Sequence, residues 1–287
     1  MDSLLTEYYN KFNEDKRLKS RHGQVESAVT MHFIREALEL IRNERKNSDI
    51  CIADIGAGTG GYAIPLAQEG YCVAAAELVK YNLGILKKNA KALLGDLYLE
   101  PEKRDTKISP KPGLTAVQQN AMRLKRFQDN SFDVTLLLGP LYHLHSIEDK
   151  VKALKEARRI TKPGGYIFVA YVMADYAVIK YGFMEGNIKE SLKAGALRED
   201  YSVVTGEDDL YDYVRLSDID EYNRRAELTR SKIVAPDGAA DYIRNVLNDM
   251  DEETFKLFVD YQIKNAQRPE LLGASSHTLD ILQRENF

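Results

Sequence analysis

A glycine-rich turn near the start of the chain has the composition and spacing of a nucleotide-binding loop. The stretch "CIADIGAGTGGYAIPLAQEGYCVAAAEL", residues 51–78, alternates an apolar run, a glycine turn, a helical pattern and a second apolar run. The turn Gly56-Ala57-Gly58-Thr59-Gly60-Gly61 satisfies G-x-G-x-x-G, and Glu77 follows about twenty residues after the first glycine. Glycines allow close backbone approach to a ligand, and an acid at this spacing accepts hydrogen bonds from ribose hydroxyls. The pattern therefore predicts a site for an adenosine-containing cofactor.

The residue type at position 54 favours one of two such cofactors. Asp54 lies two positions before the glycine turn, at the end of an apolar run. A dinucleotide places its pyrophosphate at the N-terminus of the following helix, and a neighbouring carboxylate would repel that anion. The same carboxylate suits a cation, such as the α-ammonium group of a methionine moiety. The residues therefore favour S-adenosylmethionine, with a nicotinamide dinucleotide as the alternative.

The segments that carry these residues alternate between strand and helix patterns. Apolar runs predict strands at 50–55, 72–77, 115–119, 132–139 and 166–173, and helical periodicity predicts helices at 24–43, 59–70, 81–94 and from 146 to about 161. Strands that alternate with helices indicate a parallel sheet covered on both faces. The proline- and charge-rich segment 95–113 is too long for an ordinary helix-to-strand connection, so we expect a surface insertion there.

Composition and charge limit the classes of partner. The chain has 287 residues and a net charge of -4, so its surface gives no long-range attraction to a nucleic-acid backbone. Its two cysteines, Cys51 and Cys72, lie in apolar runs without metal-ligand spacing, which indicates buried thiols and no metal site. The N-terminal residues lack a signal-peptide pattern, and no apolar run approaches the ~20 residues of a membrane span. We therefore expect a cytoplasmic protein without a membrane partner.

Five motifs in register resemble those of class I S-adenosylmethionine-dependent methyltransferases. They are "ADIGAGTGG", "AAEL", "QQNAMRL", "SFDVTLLLGPLYHL" and "ARRITKPGGYIFVAYV", spread over residues 50–175. The series is most similar to the small-molecule branch that includes the ubiquinone/menaquinone-biosynthesis type. The resemblance implies an α/β fold with a Rossmann-like doubly wound sheet, mostly parallel with an antiparallel last strand, plus a helical cap.

The resemblance also implies roles for individual positions in the cofactor site. Gly56, Ala57 and Gly58 would pass under the cofactor, with Asp54 near its methionine end and Glu77 at its ribose. Asn120 and Ala121 would meet the adenine; the family often has aspartate at position 120, and the amide oxygen of asparagine supplies the same acceptor. The remaining predicted cofactor residues are Gly139 and Arg21, the latter as a partner of the methionine carboxylate.

The candidate residues for binding the methyl acceptor lie directly after the fourth predicted strand and at the start of the last strand. Tyr142 and His143 come directly after Gly139, and His143 is predicted to act as a general base or an orienting group. The family's antiparallel last strand would begin at the edge where the other strands end, so His277 is predicted to face the same cleft. Enzymes that methylate nucleobase amino groups carry an acid or amide where this chain has Gly139, which disfavours that reaction.

These observations predict four segments and one activity. Residues 1–48 would form an N-terminal helical segment covering the cofactor, 49–173 the cofactor-binding core, 174–226 a tyrosine-rich substrate lid, and 227–287 the completion of the sheet with helices. The predicted activity is methyl transfer to a small-molecule acceptor by in-line displacement. The alternatives are an NAD-dependent oxidoreductase, a cofactor-binding protein without turnover, and an RNA or protein methyltransferase. The acceptor atom and the oligomeric state stay open.

Overall fold

The strands assemble into one central sheet. The computed structural model describes residue 8 and residues 20–45, 49–101 and 106–285. Its strands are β1 (Cys51–Ile55), β2 (Cys72–Glu77), β3 (Tyr98–Leu99), β4 (Gly113–Gln118), β5 (Phe132–Leu137), β6 (Thr161–Val172), β7 (Thr229–Val234) and β8 (His277–Gln283). They form an eight-stranded sheet in the order β3-β4-β2-β1-β5-β6-β8-β7.

Helices follow most of the strands. They are α1 (Arg21–Glu44), α2 (Ala63–Gln68), α3 (Lys80–Leu94), α4 (Ile147–Ile160), α5 (Ala174–Ala177), α6 (Ile188–Lys193), α7 (Leu216–Ala226), α8 (Arg244–Asp249) and α9 (Glu252–Asn265). A π-helix covers Val178–Met184, and 3₁₀ turns cover Gly95–Leu97, Pro140–His143 and Pro269–Leu271. Among the described residues, no helix combines the length and apolar character needed to cross a membrane.

The direction of the strands confirms the predicted fold class. Strands β1, β2, β4, β5 and β6 pair in parallel, whereas β8 runs antiparallel to both β6 and β7. Every residue of β2 and β5 is buried, as expected for strands covered by helices on both faces. The carboxyl ends of the parallel strands and the beginning of β8 therefore lie at the same edge of the sheet.

Helix α1 confirms the helical periodicity read from the sequence and fixes where it begins. The Ser20 hydroxyl accepts a hydrogen bond from the Gly23 amide and caps the helix, which begins at Arg21, three residues before the predicted start. At its other end, Arg45 pairs with the buried carboxylate of Asp133 in β5. The rest of the predicted segment 1–48 lies outside the described residues, apart from Tyr8 and residues 20–45.

Three local predictions needed correction. In the expected surface insertion 95–113, Tyr98–Leu99 instead add an edge strand beside β4; residues 102–105 of this segment lie outside the described residues. Strand β6 starts at Thr161 rather than after the Lys-Pro-Gly-Gly turn, with a register shift opposite Phe132 and Val134. A glycine is required within it because a Cβ at Gly165 would lie 2.6 Å from the Asp133 carbonyl oxygen. Cys51, expected to be buried, is half-buried, whereas Cys72 is buried and both are free thiols.

A buried lysine joins helix α4 to the segment that precedes α7. The side chain of Lys150 is 1% exposed, and its ammonium group donates to the Leu144 carbonyl and to Oδ2 of Asp212 at 2.7 Å. The Asp212 amide donates in turn to the Tyr142 carbonyl at 2.7 Å, and Asp212 Oδ1 accepts from Thr205. Lys150 thereby holds the turn after β5 and residues 205–212 in one arrangement.

We expect Lys150→Ala to lower the free energy of unfolding by about 3 kcal/mol or more, because it leaves a partly buried carboxylate without its cation. Urea denaturation monitored by circular dichroism measures the loss. Lys152→Ala is the matched control: this lysine lies on the exposed face of the same helix, and its loss should stay within about 0.5 kcal/mol. Equal losses in the two variants would contradict a structural role for the Lys150 contacts.

Candidate active site

Glu77 connects three pieces of the carboxyl edge of the sheet. Its side chain, at the end of β2, is 5% exposed. Oε2 accepts the Gly58 amide at 2.8 Å and Oε1 accepts the Val79 amide at 2.8 Å. The carboxylate therefore fixes both the glycine turn and the start of α3.

The glycine turn itself is held by backbone geometry. Gly56 and Gly58 have φ angles of +74° and +55°, which favour glycine. The amides of Gly56 and Ala57 donate to the Ala76 carbonyl at 2.7 and 3.1 Å. A Cβ at Gly56 would lie 2.7 Å from the Pro140 ring, so this glycine is required by contact within the protein. The sequence prediction had invoked ligand approach alone.

Asp54 is an unusual group at this edge. It is 2% exposed, and within the described part of the chain its Oδ2 atom has no hydrogen-bond partner. Burial, and then the nearby charge of Glu77, raise the pKa of Asp54 to about 7, while a hydrogen bond from the Ala63 backbone opposes the shift. A buried carboxyl oxygen without a partner indicates that a cationic or hydrogen-bonding group belongs next to it.

The predicted adenine-binding residues lie beside Glu77. The Gln119 amide, directly after β4, donates to the Glu77 carbonyl at 3.2 Å. Asn120 follows, and its Oδ1 accepts the Met122 amide at 2.8 Å, which closes a turn. Ala121 is buried within the adjacent apolar cluster. Asn120 and Ala121 thus share an edge with Asp54, Glu77 and the glycine turn, although Asn120 also has a local structural role.

Arg21 is engaged with another part of the protein. One terminal nitrogen of its guanidinium group lies 3.3 Å from Oε2 of Glu252, and the group stacks 4.4 Å from the centre of the Phe255 ring. Both partners belong to α9. Its pairing with a methionine carboxylate therefore stays a prediction that these contacts do not support.

Tyr142 links the glycine turn to the predicted acceptor side. A Cβ built on Gly139 would lie 3.6 Å from both the Tyr142 hydroxyl and the Gly56 carbonyl oxygen, so these two atoms flank the same glycine. The Tyr142 ring centre lies 5.7 Å from that of Tyr211 and 6.3 Å from that of His277. Tyr8 contacts Tyr211 through a hydroxyl–hydroxyl bond of 3.4 Å. These contacts bring together four segments far apart in the sequence.

His143 is placed to hold the segment that covers the site. It is 7% exposed, its Nδ1 bonds to the Leu210 carbonyl at 2.8 Å, and its ring stacks on Tyr211. Burial lowers its pKa to about 4, so the imidazole is neutral and a weak base near pH 7. His145 bonds to the neighbouring Asp209 carbonyl at 3.0 Å. Of the two roles predicted for His143, this geometry favours the orienting group over the general base.

His277, at the beginning of β8, lies beside a carboxylate that the sequence reading missed. Oδ2 of Asp237 accepts the His277 backbone amide at 2.8 Å and lies 3.0 Å from Nδ1 of the ring. Ligand atoms of Glu26, Asp237 and His277 lie within 4.8 Å of one another. The signal available in the sequence was weak, since Asp237 precedes a glycine and resembles an ordinary turn residue.

Comparisons with known proteins concern the segment that carries the five motifs and the fold. Residues 53–169 match a family model described as a methyltransferase domain. A demethylmenaquinone methyltransferase from Renibacterium salmoninarum is 32% identical over 120 residues, which are 42% of this chain and 40% of the relative. The chain therefore matches less than half the length of this curated relative. The resemblance to S-adenosylmethionine-dependent methyltransferases predicted from the five motifs is confirmed.

Two solved structures share the fold. An S-adenosylmethionine-dependent methyltransferase from Thermotoga maritima has a TM-score of 0.54 and 16% identity, with 99% of each chain covered. A magnesium protoporphyrin IX methyltransferase from Synechocystis, solved with bound S-adenosylhomocysteine, has a TM-score of 0.50 and 10% identity over 90% of this chain and 84% of that one. At these identities the likeness concerns the fold alone.

The raised pKa of Asp54 predicts a pH-dependent stability. The folded state keeps the proton up to about pH 7, whereas an unfolded aspartate releases it near 3.8. Stability from this group is therefore fully present below the unfolded pKa and is lost as pH rises between these values, by at most about 1.4 kcal/mol per pH unit. In Asp54→Asn this loss should be absent, so the variant should gain stability relative to wild type between pH 5 and pH 8.

Urea unfolding of both proteins across this pH range measures the difference. Asp96→Asn, at an exposed position, serves as the control and should follow the wild-type pH profile. Parallel profiles for wild type and Asp54→Asn would show that Asp54 is ionised throughout and would contradict the assigned environment.

Proposed function

We propose that this chain, whose residues 53–169 match a methyltransferase domain, is an S-adenosylmethionine-dependent methyltransferase that acts on a small-molecule acceptor. The observation that carries the proposal is the buried Asp54 carboxyl, with one oxygen unpartnered in the described structure, beside a glycine turn braced by Glu77. This pair of acids suits a ligand with a cationic group and a ribose. A pyrophosphate would meet two carboxylates there.

The residues at the carboxyl edge divide the cofactor between them. Asp54 pairs with the methionine ammonium group, and Glu77 accepts hydrogen bonds from the ribose hydroxyls while it keeps its backbone amides. Asn120 and Ala121 border the adenine, and Gly56, Ala57, Gly58 and Gly139 line the backbone face of the site. When bound, the cofactor supplies a methyl group already activated by its sulfonium, so the protein mainly has to position the acceptor and exclude water.

The acceptor side is enclosed by aromatic and histidine side chains. The Tyr142 ring lies next to both His277 and Tyr211. Tyr211 stacks on His143, and His143 and His145 bond to the carbonyls of residues 209–210 just before it. This aromatic cover, formed by Tyr142, Tyr211 and His143, supports a small acceptor. The Renibacterium salmoninarum relative, which aligns with 42% of this chain, is named a demethylmenaquinone methyltransferase. A quinone-like acceptor therefore belongs to the compounds to screen. The cytoplasmic location predicted from the sequence stays a prediction.

We expect isothermal titration to give micromolar affinity for S-adenosylhomocysteine and no binding of NADH. Glu77→Gln should weaken S-adenosylhomocysteine binding at least about tenfold, because an amide supplies fewer acceptors for ribose and backbone together. Glu69→Gln, a change at an exposed carboxylate that pairs with Arg35, should bind as wild type does. Binding of NADH without S-adenosylhomocysteine would contradict the proposal and favour the oxidoreductase.

The affinity should also depend on pH through Asp54. The free protein holds the proton of Asp54 up to about pH 7, and the ammonium group of the ligand favours the ionised form. Binding of S-adenosylhomocysteine should therefore tighten from pH 5.5 to 7.5, by at most about tenfold per pH unit below the pKa. In Asp54→Asn the affinity should be lower and nearly independent of pH over this range. A pH-dependent affinity of the same slope in the variant would exclude Asp54 as the titrating group.

A further inference from the structure

The last strand brings an aspartate–histidine pair to the acceptor side of the site. Asp237 is 3% exposed, and His277 keeps 20% of its side chain exposed. Oδ2 of Asp237 already accepts the backbone amide of His277 at 2.8 Å, which identifies it as an acceptor oxygen. We therefore assign the ring nitrogen Nδ1, 3.0 Å from the same oxygen, as the donor. The neutral imidazole therefore carries its proton on Nδ1 and its lone pair on Nε2.

The position of Asp237 is fixed by contacts from two directions. The Gly238 amide donates to the Ser275 hydroxyl at 3.1 Å, two residues before His277. The Gln262 side chain of α9 donates to the Ala235 carbonyl at 2.7 Å. Gly238 has a φ of +52°, and a Cβ there would overlap the end of the Gln262 side chain, so a larger residue at this position would be strained. A carboxylate braced in this way can hold the imidazole in one orientation.

A third acid and an aromatic ring surround the same imidazole. Glu26 of α1 places a carboxylate oxygen within 4.8 Å of the Asp237 and His277 ligand atoms. The His277 ring centre lies 6.3 Å from that of Tyr142, whose hydroxyl flanks Gly139 beside the glycine turn. An imidazolium formed here would lie near two carboxylates, which stabilise its charge. A proton acceptor thus lies beside Tyr142, next to the cofactor edge.

We propose that Asp237 is a positioning residue that makes Nε2 of His277 the base for the acceptor, and that the acceptor reacts through an atom carrying a dissociable proton, a hydroxyl or an ammonium. This inference rests on the proposed methyltransferase function. The proton passes from the acceptor atom to Nε2, and the electron pair left behind forms the bond to the methyl carbon. The electron pair of the broken methyl–sulfur bond stays on sulfur. The imidazolium then releases its proton to solvent.

The first test uses the small number of histidines. The chain has five, so long-range ¹H–¹⁵N correlation spectra of the full protein labelled on histidine can resolve each ring, and His277→Gln assigns the signal. In the presence of S-adenosylhomocysteine, wild type should show the Nδ1–H form at His277. Asp237→Ala should convert this ring predominantly to the Nε2–H form, whereas Asp237→Asn, which keeps a side-chain oxygen, should restore Nδ1–H. A merely structural role of Asp237 would not produce this pattern.

Control measurements separate this inference from the proposed function. Asp280→Asn removes another buried carboxylate of β8, which pairs with Arg230, and should leave the His277 signals unchanged. Asp237→Ala should still bind S-adenosylhomocysteine. If wild type itself does not bind S-adenosylhomocysteine, that result contradicts the proposed function and not the Asp237–His277 pair. An Nε2–H ring in wild type would overturn the inference. A change in the chemical shifts of the His277 ring on addition of micromolar Zn²⁺ would also overturn the inference, because it would assign Glu26, Asp237 and His277 to a metal site.

Kinetics supply a second, chemical test. Formation of S-adenosylhomocysteine is followed with phenols of graded acidity as acceptors, in wild type and His277→Gln. For acceptors that hold their proton at the assay pH, His277→Gln should lower kcat/KM by about 10² to 10⁴. The loss should shrink as the acceptor becomes more acidic, because an ionised phenol needs no base. A loss that is uniform across the series would overturn the assignment of His277 as the base.

Discussion

Two carboxylates at the ends of neighbouring parallel strands impose the constraint on which the site depends. Asp54 and Glu77 are both buried, and like charges at such positions oppose each other in a medium of low dielectric. The protein stabilises one of them, Glu77, with the amides of Gly58 and Val79, and leaves the other with an unpartnered oxygen. A ligand can relieve this arrangement by supplying a positive charge or a hydrogen bond to the unpartnered oxygen. The stability of the free protein and the selectivity for a cofactor are therefore opposed at one residue.

The same edge of the sheet carries the covering elements. His143 and His145 alternate along the turn after β5, and each holds a carbonyl of residues 209–210, while Lys150 fixes Asp212 from the next helix. Buried polar groups of this kind specify one arrangement because each would be costly without its partner. Residues 209–212, which cover Tyr142, are thus held in place by the turn after β5, and Tyr142 itself belongs to that turn. The acceptor side and the cofactor side share a single framework.

Much of this could be predicted from the sequence, and the failures have a common physical cause. Glu77 and Asp54 follow from local patterns and motif spacing, and the antiparallel direction of the last strand follows from the family resemblance. The order of the strands in the sheet was not predicted. Asp237 and Glu26 were missed because only long-range contacts bring them to the site. In the sequence, Asp237 precedes an ordinary turn glycine, and Glu26 lies in an amphipathic helix. His143 was named, but no sequence pattern distinguishes an imidazole that holds a carbonyl from one that accepts a proton. The short strand at Tyr98–Leu99 escaped notice because two residues carry no periodicity.

The place of β8 in the sheet has a consequence for how the protein is made. Strand β7 reaches the sheet only through β8, which inserts between it and β6, and β8 begins with His277. During synthesis on the ribosome, residues 51–172 can assemble the cofactor edge well before residues 277–283 emerge. A nascent chain would then possess the predicted adenosine site without the proposed base, His277, and without a paired outermost strand. Contacts of such large sequence separation form late and slowly. Cofactor capture would come before chemical competence, and the unfinished polypeptide could bind a methyl donor without consuming it.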